Sequence, residues 1–202
     1  MTGKFDCTKN YALEDDRVLL RPLQQEDYDL LLPFALHEPG LWQYSLVTPA
    51  GKEGLQNYMD ITFKARLEGK EYPFIVFDKN TNEYAGSTRF YDINNEFRTV
   101  QLGYTWYGKK FQGTGLNKHC KFLLLQFAFE EMNMIRVEFR ADNNNARSIA
   151  AMKSIGCKVD GVLRSNMPTR SGDMRRDSIV LSILRDEWYT EVKKKLREKL
   201  NH

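Results

Sequence analysis

The alternation of hydrophobic and polar positions along this chain predicts a defined succession of strands and helices. Short apolar runs bounded by turn residues indicate strands, and apolar residues spaced three and four apart indicate helices. The predicted segments are 17–21, 25–37, 52–67, 72–78, 83–91, 98–107, 116–132, 134–140, 145–155, 159–166, 174–184 and 186–200. The resulting order is βααβββαβαββ followed by a C-terminal helix, which Asp186 is predicted to cap. This order predicts an α+β fold with a mixed, mostly antiparallel sheet.

The pattern contains no internal repeat, low-complexity segment or linker. A chain of 202 residues can bury one substantial core. The sequence therefore predicts a single domain over residues 1–188, with its core at about 17–188. Residues 189–202 are predicted to form an amphipathic helical tail, because apolar residues recur there at helical spacing.

Composition excludes several classes of protein. The net charge of +3 is small for this length, which argues against a dedicated nucleic-acid-binding protein. Cys7, Cys120 and Cys157 have no CxxC spacing, so neither a metal site nor a disulfide framework is predicted. The N-terminus has no apolar segment typical of a signal peptide, and no apolar run could span a bilayer. A cytoplasmic location without membrane contact is expected.

The most informative segment follows the strand at 98–107 and begins the helix at 116–132. It reads Gln112-Gly113-Thr114-Gly115-Leu116-Asn117. A glycine-rich turn that begins a helix directs backbone N–H groups and the positive end of the helix dipole at one point, which favours a bound phosphate. The glycine spacing matches neither GxxxxGK[ST] nor GxGxxG. Taken alone, the segment could also be an ordinary helix-start turn.

Together with other segments, this turn resembles the pyrophosphate loop of the GNAT superfamily of acyl-CoA N-acyltransferases. The resemblance extends from about Arg17 to Trp188. It is strongest to the branch containing ribosomal-protein N-terminal (alanine/serine) acetyltransferases. The other supporting segments are Leu19-Leu20-Arg21-Pro22, Leu102-Gly103-Tyr104, Asn145-Ala146-Arg147-Ser148, Ser154-Ile155-Gly156 and Gly161-Val162-Leu163-Arg164. The resemblance implies a GNAT-like fold with helices on both faces of the sheet.

The resemblance also implies acetyl-CoA as cosubstrate, without a metal. Backbone N–H groups from Gly113 to Asn117 would hold the pyrophosphate, and the pantetheine arm would lie along the strand near Tyr107. The implied CoA-binding residues are Tyr107, Gln112, Gly113, Thr114, Gly115, Leu116, Asn117 and Asn145. Asn117 departs from the Gly or Ala usual in the family. It could cap the helix, reach a phosphate, or be only an exposed helix-start residue.

The implied catalytic residues are Glu138 and Ser148. Glu138 would act as a base through water, although a strand Glu paired with Arg136 or Arg140 is an equally good interpretation. Relatives use a Tyr to protonate the departing thiolate, and Met152 occupies that place here. Ser148 lies one helical turn before Met152 and corresponds to a Ser that is a proposed acid in this branch. It could instead be only a small helix residue. Asn145 fits an ordinary N-cap as well as a contact with the pantetheine arm.

The implied activity is direct transfer of an acetyl group to a primary amine, on a protein N-terminus or a small molecule, through a tetrahedral intermediate. Loop 41–50 is the favoured place for the acceptor. Met152 and Asn117 leave open a CoA-binding module without catalytic activity, or with a regulatory role. An antibiotic or polyamine N-acetyltransferase is a further alternative. The chain is expected to act as a monomer or homodimer and not to bind nucleic acid directly.

Overall fold

The computed structural model describes residues 5–200. The strands are β1 (Leu13–Glu14), β2 (Val18–Pro22), β3 (Tyr72–Asp78), β4 (Glu83–Asn94), β5 (Thr99–Tyr107), β6 (Arg136–Asp142), β7 (Lys158–Pro168) and β8 (Arg175–Leu184). The helices between them are α1 (Tyr28–His37), α2 (Gly51–Leu67), α3 (Leu116–Gln126) and α4 (Ala146–Ser154). A π-helical turn, Phe127–Glu131, continues α3. The C-terminal helix runs through Arg185–Glu187, Trp188–Val192 and Lys193–Glu198.

The eight strands form one sheet in the order β1-β2-β3-β4-β5-β6-β8-β7. Only β5 and β6 are parallel among the strand pairs of residues 5–200. The predicted class, element order and mixed sheet are confirmed. One short strand, β1, was not predicted, because two residues are too few to show an alternation.

Helices cover both faces of the sheet, as predicted. Alternate residues of β3 show this directly: Tyr72 and Phe74 belong to one buried cluster, and Ile75 belongs to the other. The first cluster, here called the main core, contains buried residues of α3, α4 and the C-terminal helix. The second cluster contains buried residues of α1 and α2, together with Trp42 and Trp106.

The C-terminal helix begins two residues earlier than a cap at Asp186 predicts. It starts at Arg185, so Asp186 lies within the first turn and the prediction that Asp186 caps the helix is wrong. The Glu187 side chain takes the capping role by accepting a hydrogen bond from the Leu184 N–H at 2.9 Å. Trp188 and Val192 then pack into the main core.

A close approach of two strands depends on Gly86. A Cβ atom at this position would overlap the carbonyl of Trp106 on β5, so only glycine fits. Just beyond, the register between β4 and β5 shifts, and Tyr104 has a positive φ of +48°. This bulge redirects the second half of β5, which leads into the candidate site.

Within residues 5–200, no helix combines the length and the apolar character needed to cross a membrane.

Candidate active site

β5 and β6 are paired over a short stretch and then diverge. Residues 99–101 pair with residues 136–138. Beyond these pairs, β5 continues to Tyr107 and β6 to Asp142 with no further pairing between them. Backbone N–H and C=O groups on the facing edges of diverging strands can pair with an extended ligand. We call the opening between residues 102–107 and residues 139–142 the cleft.

Tyr107 lies at the wide end of the cleft. It pairs with Gly86 on β4, and the N–H of the following Gly108 donates to the Ala85 C=O at 2.9 Å. In an antiparallel ladder, this pattern directs the N–H and C=O of Tyr107 away from β4. The C=O accepts a hydrogen bond from the Gln112 side-chain amide at 2.7 Å. The N–H is therefore directed toward the cleft.

The glycine-rich turn lies beyond Tyr107. Gly113 and Gly115 have φ values of +79° and +88°, and a Cβ atom at either position would meet no atom within 4 Å. Within residues 5–200, the backbone N–H groups from Gly113 to Asn117 have no acceptor. These groups surround the N-terminus of α3, where the helix dipole also favours an anion. The turn therefore has the geometry of a phosphate site with open space in front of it.

Side chains of the same segment hold the turn in place. The Thr114 hydroxyl donates to a backbone carbonyl at 2.8 Å, and Leu116 is fully buried in the main core. Asn117 is half-buried, and its side-chain oxygen accepts a hydrogen bond from the Tyr107 hydroxyl at 3.2 Å. Asn117 therefore links the start of α3 to β5 and is not an exposed surface residue.

The N-terminus of α4 lies where β6 ends. The Asn145 side chain accepts a hydrogen bond from the Ser148 N–H at 3.1 Å, so Asn145 is an N-cap of α4. Asn145 itself lies just after the end of β6, which borders the cleft. Met152 is buried in the main core.

Glu138 is held between two arginines. One carboxylate oxygen accepts from Arg136 at 2.9 Å, and the other accepts from Arg140 at 2.7 Å. The side chain is on the opposite face of β6 from Val137 and Phe139, as the alternation predicts. The ion-pair interpretation of Glu138 therefore agrees with the observed contacts. A role as base remains a prediction.

The face of the sheet that carries Glu138 is also lined by polar and aromatic residues. Tyr91, Gln101 and Glu138 are directly opposite one another on adjacent strands. The Tyr91 ring covers Gly103 and packs against Tyr104 with ring centroids 5.0 Å apart. This surface lies beside the cleft.

Loop 41–50 contacts β8. Arg176 donates a hydrogen bond to the Tyr44 carbonyl at 3.1 Å. Within the loop, Trp42 is buried in the second cluster, as the preference of aromatic residues for the core predicts, whereas Tyr44 is exposed. Tyr44 is therefore the aromatic residue of this loop that solvent can reach.

The structure also reveals a buried lysine that the sequence pattern did not single out. Lys121 of α3 is 6% exposed, and its ammonium donates a hydrogen bond to the Thr105 hydroxyl at 2.8 Å. Burial lowers the pKa of Lys121 to about 8. One feature of the sequence indicates this burial: Lys121 is a charged residue directly beside Cys120, within the apolar stripe of the helix. Burial raises the pKa of Cys120 to about 12, so its thiol stays protonated, as expected for a structural residue.

One group of potential metal ligands occurs in the described part of the chain, formed by Asp15, Asp16 and His119. The Asp15 carboxylate accepts hydrogen bonds from the N–H groups of Arg17 and Val18, and it contacts His119 Nδ1 at 2.8 Å. The two backbone contacts close the turn between β1 and β2, and the His119 contact joins this turn to α3. We assign this group a structural role and no metal.

Comparison with known proteins identifies the family. The model of the acetyltransferase (GNAT) domain matches residues 17–158, so the chain belongs to the GNAT family and is an N-acetyltransferase. Members of this family use acetyl-CoA as cosubstrate and amines as acceptors.

Sequence and structural similarity to individual proteins supports this assignment. The "Uncharacterized N-acetyltransferase p20" of Bacillus licheniformis is 27% identical over 76% of this chain and 85% of its own length. The "Putative ribosomal N-acetyltransferase YdaF" of Bacillus subtilis is 24% identical over 93% of this chain and 99% of its own. A GCN5-related N-acetyltransferase from Brucella melitensis has the same fold. Its crystal structure matches with a TM-score of 0.86 at 23% identity, over 95% of this chain and 86% of that one.

Proposed function

We propose that this chain transfers an acetyl group from acetyl-CoA directly to a primary amine, on a protein N-terminus or a small molecule. The observation that carries the proposal is the set of free N–H groups from Gly113 to Asn117, placed at the wide end of the cleft. These donors and the dipole of α3 suit a pyrophosphate, and the cleft suits an extended arm attached to it.

In this proposal, the chain holds the donor along its whole length. Gln112, Gly113, Thr114, Gly115, Leu116 and Asn117 form the pyrophosphate site. The free backbone edge at Tyr107 pairs with the arm, and Asn145 contacts it from the start of α4. Fixing the thioester next to the amine removes most of the entropic cost of bringing two reactants together.

A backbone N–H of β5 near Tyr107 is proposed to stabilise the charge that develops on the thioester oxygen. A backbone donor is already fixed in place, so it need not reorganise during the reaction. Attack by the amine then gives a tetrahedral intermediate, which loses the thiolate. Ser148 is proposed to orient the departing sulfur. Its hydroxyl is a weak acid, so Ser148 is not proposed to give the thiolate its proton.

Glu138 is proposed to accept the proton of the attacking amine through a water molecule. Replacing Glu138 by Gln should then lower kcat by about tenfold or more, because the amide cannot act as a base. Steady-state kinetics near neutral pH would measure the change.

Asp160 provides a matched control for Glu138. It also binds Arg136, at 2.8 Å, but it lies on β7. Asp160→Asn therefore weakens the ion pairs of Arg136 without removing the proposed base, and it should leave kcat nearly unchanged. Equal kcat values for both variants and the wild type would show that Glu138 is only an ion-pair partner.

The proposed class of acceptor rests on a relative's name and on exposed aromatic residues. The name of the B. subtilis relative includes the word ribosomal, which favours a ribosomal protein N-terminus as the acceptor. The exposed Tyr44 and the surface around Tyr91 and Tyr104 would border the incoming amine. An antibiotic or polyamine acceptor is the alternative that would use the same surface.

Thiol release from acetyl-CoA, measured with a panel of peptides and small amines, tests the proposed function. We expect release that depends on an added amine, with a peptide N-terminus among the good acceptors. Tight CoA binding with no release for any acceptor would instead support a non-catalytic CoA-binding module, which the apolar Met152 favours.

A further inference from the structure

The ammonium of Lys121 lies where the two strands of the cleft separate. Its hydrogen-bond partner Thr105 belongs to the part of β5 that no longer pairs with β6. Its Nζ is also 5.9 Å from the ring centroid of Phe139, the first residue of β6 beyond the paired stretch. A side chain of α3 therefore brings a positive charge next to both strands of the cleft.

No acidic partner accounts for this charge. Among residues 5–200, no carboxylate oxygen lies within 4.0 Å of the Lys121 ammonium. The titratable groups that face it are the thiols of Cys120, on its own helix, and Cys157, which precedes β7. Both thiols have a pKa raised to about 12 by burial, so they are neutral. A buried cation without a counter-charge is costly, so an apolar residue would serve the core better.

The reaction needs a proton donor that the other candidates do not supply. Met152 has no proton to give, and the hydroxyl of Ser148 is a weak acid. Given the proposed function, on which this inference rests, we propose that the Lys121 ammonium faces the sulfur of the acyl donor and protonates it as the carbon–sulfur bond breaks.

The bonds and protons of this step balance. The amine nitrogen forms a bond to the acyl carbon, the carbon–sulfur bond breaks, and its electron pair stays on sulfur. Lys121 transfers one proton to that sulfur and becomes neutral. The amine releases one proton to water, and Lys121 regains a proton from solvent. The pKa of Lys121, about 8, is close to that of a free thiol. Proton transfer from the ammonium to the thiolate therefore has a free-energy change close to zero.

Titration of the CoA thiol in its complex with the protein tests this role without turnover. In the wild type, we expect the bound thiol to ionise at least about one pH unit below free CoA, because an opposite charge at close range favours the thiolate. Thiolate absorbance in the ultraviolet measures the ionisation. The protein's own thiols do not interfere, because burial raises the pKa of Cys7 and raises the pKa values of Cys120 and Cys157 to about 12.

Two kinds of variant distinguish the effect of the Lys121 charge from the effect of its hydrogen bond to Thr105. Lys121→Met and Lys121→Gln remove the charge and should abolish the shift. Thr105→Val removes the hydrogen-bond partner but keeps the charge, so it should preserve the shift. Melting temperatures show that each variant is folded. Desulfo-CoA lacks the sulfur, and the two Lys121 variants should bind it with the wild-type affinity.

Each contrary result has a distinct meaning. An unchanged thiol titration in folded Lys121→Met and Lys121→Gln would overturn the proposal. Equal losses of affinity for CoA and desulfo-CoA would place Lys121 against the arm rather than the sulfur, and would also overturn it. A wild-type protein that binds neither compound would refute the proposed function itself, and the role of Lys121 with it.

Discussion

The variant Gly115→Ala should bind CoA about a hundredfold more weakly than the wild type. The open space in front of Gly115 is where the pyrophosphate is proposed to lie, so a methyl group there would displace the phosphate from its donors. Each lost hydrogen bond to a charged group is worth roughly 1.5–3 kcal/mol, and a hundredfold loss corresponds to about 2.7 kcal/mol. Isothermal titration calorimetry with CoA measures the change.

Gly172→Ala is a matched control for this experiment. Gly172 has a φ of +81° and equally open surroundings, but it lies in the turn between β7 and β8. Both substitutions impose roughly 1–2 kcal/mol of backbone strain, because a side chain disfavours positive φ. The control should therefore lose similar stability and retain its CoA affinity. If both variants bound CoA as the wild type does, the turn would not be the pyrophosphate site.

The variant Lys121→Met should be more stable than the wild type at neutral pH. The pKa of Lys121 falls from its ordinary 10.5 to about 8 on folding, which corresponds to a cost of about 3 kcal/mol while the side chain is charged in both states. A Met side chain has a similar volume and avoids this cost. We therefore expect the free energy of unfolding to rise by about 3 kcal/mol at pH 7.

The gain in stability should depend on pH in a definite direction. Between pH 8 and 10.5, the unfolded wild type retains the Lys121 proton that the folded wild type has released. The stability of the wild type therefore rises with pH relative to that of the variant, and the difference should vanish above pH 10.5. Urea unfolding of both proteins at pH 7 and pH 10 measures this trend. A variant that is less stable at pH 7, or a difference independent of pH, would contradict it.

The features predicted well from sequence are those determined by local chemistry. Gly69 and Gly156 end α2 and α4 with positive φ, as glycine after an apolar stripe predicts. Strand β3 has the predicted boundaries, because it coincides with a short apolar run that turn residues follow. The glycine-rich turn was found in the same way, since the φ values of Gly113 and Gly115 are conformations that favour glycine.

The features missed from sequence depend on tertiary contacts. The two arginine contacts of Glu138 need the side-chain geometry of β6, so the sequence left two interpretations open. The burial of Lys121 depends on how α3 packs against diverging strands. The sequence predicts a cap at Asp186, whereas the N-cap is Leu184 with Glu187 bonding back to it, because a shift of two residues in a helix start leaves the apolar pattern nearly unchanged.

A crystal structure with bound CoA would test the central claim most directly. We predict pyrophosphate oxygens at hydrogen-bonding distance, roughly 2.7–3.2 Å, from the backbone N–H groups of residues 113–117. The arm should lie in the cleft between β5 and β6, with its sulfur beside Lys121. CoA bound elsewhere, with no phosphate contact at the glycine-rich turn, would contradict the account.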